Sequence, residues 1–186
     1  MRVQAALAAV AIAAAAFVWH NLPVNSQIYA PFDVTADAGS PAVGRNLTAT
    51  VIGTQLTPLI RPENGYPPQL EASGIWVVVN ATVAAVEAPG LLRAQLQVGP
   101  NSYNPTDRLM AAAQLTGLQQ PELMNTGVLV FDVAPEVLAD VDAIELRTWL
   151  GDERLDSRLV VQIVLDGPQV SRLEEVRLPR PLVSAS

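Results

Sequence analysis

From Asn46 onward, apolar and polar residues alternate in short runs with a period of two, which predicts half-buried strands. In NLTATVIG, Leu47, Ala49 and Val51 share one face against Thr48 and Thr50, and Gly53 is placed to bulge the strand. GIWVVVNATVAAV puts Ile75, Val77, Val79, Ala81 and Val83 on a wholly apolar face, while Trp76, Val78, Asn80 and Thr82 make the opposite face mixed. LLRAQLQV sets Leu92, Ala94, Leu96 and Val98 against Arg93, Gln95 and Gln97. GVLVFDVA places Leu129, Phe131 and Val133 inward with Asp132 outward. AIELRTWL opposes Ile144, Leu146, Thr148 and Leu150 to Glu145, Arg147 and Trp149. RLVVQIVL closes the series as a strand apolar on both faces.

Turn clusters separate these runs: RPENGYPP, EAPG, VGPNSYNP, LQQPELMNTG and LGDERLDS. RLMAAAQL and PEVLADV are long enough only for short helices. Six or seven short strands with turn-rich joints predict an all-β, immunoglobulin-like antiparallel β-sandwich over residues 43–167. Residues 21–42 carry Pro23, Pro31, Gly39 and Pro41 without sustained periodicity and read as a linker, with Ile28, Tyr29 and Phe32 apolar enough to pack on the domain. Residues 168–186, charged and punctuated by proline, read as a C-terminal tail, either an edge strand or a loose end.

The opening MRVQAALAAVAIAAAAFVWH breaks the period of two. Residues 3–19 hold no charge and one polar side chain, Gln4, with apolar positions all round. As a helix of about 1.5 Å rise per residue this run is just short of a bilayer core of about 30 Å. It reads as an N-terminal membrane anchor over residues 1–20, with Trp19 and His20 at the interface. Arg2, the only basic residue before Arg45, places the N-terminus in the cytoplasm and the domain outside. The alternatives are a leader cleaved near Ala16, for which Ala14, Ala15 and Ala16 supply small residues, and a buried helix.

GIWVVVNATVAAVEAPG, then LLRAQLQVGPNSYNP, then GVLVFDVAPE form an order of segments that resembles the immunoglobulin-like, telokin-like domains of bacterial exported proteins, across about residues 44–166. The chain departs from that pattern at Ala84-Ala85-Val86-Glu87, where the family carries Asn-Thr-Gly, and at Met124-Asn125-Thr126, where it carries Pro-Gly. The resemblance implies the sandwich and an exported setting, and it supplies no catalytic residue.

Composition narrows the chemistry. The 186 residues carry a net charge of −7 with every basic residue an arginine and no basic cluster, which excludes nucleic acid as a partner. The arginine-only, alanine-rich usage reads as the bias of a GC-rich bacterial genome. There is no cysteine, and the one histidine, His20, lies in the opening segment. Disulfides, thiol nucleophiles, zinc sites and Ser-His pairs are therefore excluded from the domain. No phosphate loop or nucleophile elbow is present. Carboxylates gather at Glu136, Asp140 and Asp142, and at Asp152, Glu153 and Asp156, where Arg154 and Arg158 interrupt them. They read as solvated turns, with a calcium site as the alternative. The sequons at Asn46 and Asn80 fall in predicted strands, where glycosylation is not expected.

Binding features remain. Trp76 and Trp149, with Arg147 beside the latter and Tyr66 in the proline-rich loop, are the candidate partner surface. The alternative covers both indoles with the linker or tail. The expectation is a non-enzymatic, membrane-anchored accessory or interaction module of the bacterial envelope, without cofactor. Its partners are the membrane, through the helix, and an envelope protein, such as a transporter or complex of which it is a subunit. A secreted small-ligand or calcium-binding domain is the second reading, and a carboxylate hydrolase the third.

Overall fold

The computed structural model describes residues 2–22, 29–63, 68–110, 113–154 and 156–185. The chain divides into two compact units, Met1–Ala30 and Pro31–Ser186.

In the first unit, helix α1 spans Arg2–His20. Alanine, the best helix former, accounts for it. Its described side chains are exposed, Ile12 and Phe17 at 70% and Trp19 at 79%. Its 19 residues would cover about 28 Å. No helix among the described residues is long and apolar enough to cross a membrane. The expected membrane-spanning helix is thus corrected to a short, alanine-rich helix, because alanine buries too little apolar surface per residue to offset the shortfall in length.

The second unit is a β-sandwich, its strands numbered in chain order. Sheet A orders β1 (Phe32–Asp37), β10 (Ser157–Val164), β9 (Ala143–Leu150), β5 (Gly90–Val98) and β6 (Asn101–Tyr103), with β7 (Leu118–Gln119) also on β5. Sheet B is built on β3 (Leu47–Pro62), β4 (Leu70–Ala85) and β8 (Leu123–Val133). Its outer edges carry β13 (Leu182–Ala185) on β8, and β2 (Pro41–Val43), β11 (Val170–Arg172) and β12 (Val176–Leu178) in succession along β3. Those three segments occupy the free side of the longest edge, which would otherwise offer a row of unpaired backbone groups. Helix α2, Pro135–Ala139, joins β8 to β9, as PEVLADV predicted.

The inward faces follow the alternation. Val77, Val79, Leu129 and Phe131 of sheet B meet Leu96, Leu146, Leu159 and Ile163 of sheet A, all fully buried. Each contributes about 1.5–3 kcal/mol by leaving water. The expected bulge is present: the β3–β4 register shifts between Val51 and Gly53, leaving Ile52 unpaired and 55% exposed. The extra residue inverts the phase of β3. Leu47, Ala49 and Val51 face the core before it, and Leu56 after it.

Three readings change, and the tail takes its edge-strand alternative. Residues 32–37 and 41–43, read as linker, are β1 and β2, while Tyr29 and Phe32 stay exposed and Ile28 lies outside the described residues. Residues read as a tail form β11, β12 and β13. The sandwich is not wholly antiparallel, since β1 runs parallel to β10, and β11 and β12 run parallel to β3. These pairings join segments distant in sequence, where no hairpin dictates direction. In β10, Gln162 and Val164 face outward and only Val160 is buried on that side, so one face of the strand is core.

A second apolar cluster lies on the outward side of sheet B. Trp76, Val78, Val128 and Val130 are covered there by Ile60, Leu70, Leu109, Val176 and Leu178. Sheet B is therefore buried on both faces at its centre.

Thr148 faces the core at 1% exposure, and its Oγ1 finds no hydrogen-bond partner among the described residues. Thr148→Val should stabilise the sandwich by about 1 kcal/mol, because a hydroxyl stranded in the interior costs roughly its desolvation. Urea unfolding should show a higher midpoint at unchanged slope.

Candidate functional site

Arg147 and Trp149 stand half-buried on the outward face of sheet A, two residues apart on β9. Pairing across the sheet sets Trp149 opposite Arg93, and Arg147 between Gln95 and Val160. Arg147 Nη2 donates to Glu145 Oε2 at 2.7 Å along the same face. The face is otherwise polar, with Gln97, Gln162, Thr35 and Asp37 in register beyond.

Trp149 does not lie flat on that face in isolation. It forms one wall of a cleft of about 520 Å³, completed by Arg93 of β5 and by residues of the 104–117 loop after β6, of which 104–110 and 113–117 are described. Asn104, Asp107, Gln114 and Thr116 of that loop line the cleft. Its volume falls within the range of small-molecule sites, and one aromatic stands there among several polar side chains.

The loop is held by hydrogen bonds to the edge of β8. Thr106 N donates to Val130 O at 2.7 Å, and Leu115 N to Val128 O at 3.0 Å. Gln114, 5% exposed, completes the junction: its Nε2 donates to Thr106 O at 2.8 Å and its Oε1 accepts from Val130 N at 3.1 Å. A single buried amide thus ties the two ends of the loop to the sheet, satisfying donors and acceptors that burial would otherwise strand. Arg108 anchors the middle. Its guanidinium lies 5.2 Å from the centre of the Trp76 ring, and its Nη1 is 3.4 Å from Asp132 Oδ2. Asp132 also accepts from Ser73 N and Gly74 N, both at 2.9 Å.

Two charged groups in the cleft stand apart from this network. Neither Arg93 nor Asp107 forms an ion pair among the described residues, whereas Arg45, Arg61, Arg108, Arg147, Arg154 and Arg158 each do.

The candidate partner surface is therefore split. Trp149 and Arg147 are where the alternation put them. Trp76 is corrected: it is fully buried under Arg108 and the second cluster, on the other sheet, with its Nε1 donating to Leu70 O at 3.1 Å. Tyr66 lies outside the described residues. Arg93, Asn104, Asp107 and Gln114 were missed. The alternation shows Arg93 as outward, but only the β5–β9 register sets it against Trp149, and register between distant strands is not written in either run.

The carboxylate turn is neutralised by arginines. Asp152 is bound by Arg154, Glu153 by Arg158 at 3.1 Å, and Asp156 by Arg45 at 3.2 Å. The hydrogen bonds from Arg154 hold the Asp152 carboxyl below its usual range, and those to Asp33 push the Arg158 guanidinium further up. Among the described residues no three His, Cys, Asp or Glu are grouped to hold a metal ion. Asn46 is engaged locally, its Oδ1 accepting from Glu87 N and Ala88 N at 2.8 Å.

No protein-family model and no curated protein matches the chain. Among solved structures it is similar to an uncharacterised β-sandwich protein from Clostridium difficile 630, at 14% identity and a TM-score of 0.44, over 72% of this chain and 95% of that one. A likeness at that level assigns nothing to the cleft.

Proposed function

We propose that the chain is an exported, non-enzymatic interaction module of the bacterial envelope, making its contact at the cleft beside Trp149. One observation carries this reading: an indole held half-open in a cleft whose far wall is pinned to the opposite sheet by Gln114 and Arg108. A rigid aromatic on a braced wall loses little conformational freedom on binding, which is how recognition surfaces gain affinity. Service as a subunit of a transporter or another envelope complex fits such a surface.

The finer fold reading is immunoglobulin-like. It is supported by the strand order, with β3-β4-β8 in one sheet against β10-β9-β5 in the other. Lettered A, B, E and G, F, C, this order supports the Greek-key arrangement of that fold. Calcium binding, the second reading, is opposed by the arginines that already occupy the carboxylates of residues 152–156.

Export rests on α1, whose described apolar side chains are exposed. Too short and too alanine-rich for an anchor, it suits a leader with small residues at 14–16. In a bacterial host, the mature protein should leave the cytoplasm with a new N-terminus near Phe17, read by mass spectrometry of the tagged protein. An intact N-terminus in the cytosol would end the export reading. For the contact itself, Trp149→Ala should abolish capture of the partner in envelope cross-linking while the unfolding midpoint stays close to that of the wild type. Unchanged capture would remove the cleft from the reading.

A further inference from the structure

We infer that the cleft beside Trp149 takes a neutral saccharide, a pyranose ring stacked on the indole with its hydroxyls on the loop. This rests on the cleft being the contact site, and it names the ligand class.

The balance of polar groups carries the inference. Arg93 offers donors only and Asp107 acceptors only, and neither is committed to an ion pair among the described residues. A net anion would gain from Arg93 what it loses beside Asp107, and a net cation the reverse. The remaining groups, Asn104, Gln114 and Thr116, each both donate and accept. A ligand suited to all five carries no charge but many groups that are donor and acceptor at once. Hydroxyls clustered on a small ring meet that description.

The aromatic wall agrees. The face of an indole is electron-rich, and the axial C–H face of a pyranose presents polarised hydrogens to it. Trp149 is half-buried and lines the cleft, so part of the indole is available to a ligand. At about 520 Å³ the cleft has the volume of an ordinary small-molecule site, room for a short stretch of sugar units. Gln114, 5% exposed and bonded to Thr106 and Val130, keeps the loop that lines the cleft in place, so little freedom is lost there on binding.

The test titrates the purified full chain with soluble neutral oligosaccharides: cello-, malto- and manno-oligomers, and β-1,4-linked N-acetylglucosamine oligomers. An oligogalacturonate and a zwitterionic tetrapeptide are run beside them, with calorimetry and tryptophan fluorescence as readouts. At least one neutral series should bind saturably and shift the emission. Trp149→Ala should weaken it at least tenfold, and Arg93→Gln and Asp107→Asn several-fold each, with wild-type circular dichroism. The last two replace exposed side chains, so they report on the cleft even where Trp149→Ala fails to fold.

Saccharide binding that survives all three variants would overturn the inference by placing the sugar elsewhere. Binding of the tetrapeptide or the oligogalacturonate alone, lost in Trp149→Ala, would also overturn it while leaving the cleft as the contact site. No binding by any probe, with envelope cross-linking still dependent on Trp149, has the same meaning. No binding, and cross-linking indifferent to Trp149, would overturn both.

Discussion

Trp76→Ala should lower the unfolding free energy by about 3–5 kcal/mol, a large fraction of the stability of an ordinary domain. The side chain is fully buried, surrounded by Ile60, Leu70, Leu109, Val128 and Val176. Removing it loses the transfer of a large aromatic and leaves a cavity, because strands on both sides of the cluster cannot collapse into the space. Two further losses follow. Leu70 O gives up the indole N–H at 3.1 Å, and Arg108 gives up the ring 5.2 Å beneath it. Trp76→Phe separates these effects: it keeps most of the area and strands the Leu70 carbonyl, for about 1–2 kcal/mol. Urea unfolding of the two variants checks the ledger. A Trp76→Ala protein as stable as the wild type would mean that the second cluster contributes nothing.

The same residue shows how far the sequence could be read. Alternation placed the inward faces of β4, β5, β8 and β9 correctly, since Val77, Val79, Leu96, Leu146 and Phe131 sit where a period of two requires them. It also placed Trp76 on the other face, which is true. What it did not settle is whether that face meets water. A clue was present: Trp76 and Val78, like Val128 and Val130, are apolar on the outward side of strands already apolar inward, as in sheets covered twice. The cover comes from Val176 and Leu178 on β12, three residues long and parallel to β3, and from the 104–117 loop. Short segments carry too few positions to show a period, and non-local parallel pairing leaves no hairpin signal. The cleft failed to announce itself for the same reason. Trp149 was legible as an aromatic on a polar face, but Arg93 and Asp107 reach it only through the register of β5 and the path of a loop.

Gly74→Ala should be nearly as damaging as loss of the indole, at about 3 kcal/mol or more, though it adds a single methyl. A Cβ there would lie 2.2 Å from Val133 O, 2.9 Å from Val133 C and 3.2 Å from Ala134 Cα. All three are backbone atoms, so no side chain can swing aside. Relief requires moving this part of β4 away from the end of β8. That movement meets a second constraint: Ser73 N and Gly74 N both donate to Asp132, at 2.9 Å, and Asp132 in turn holds Arg108 over Trp76. Displacing Gly74 would break charge-assisted hydrogen bonds and loosen the guanidinium that braces the 104–117 loop. The variant should therefore lose stability and also weaken any contact made through the Trp149 cleft, on the other sheet. Gly117→Ala is the control, because a Cβ there meets nothing within 4 Å, and it should change stability by less than about 1 kcal/mol. If Gly74→Ala unfolds at the same urea concentration as Gly117→Ala, the close approach of β4 to β8 is not a constraint. The coupling from Asp132 through Arg108 to the loop would then have to be sought elsewhere.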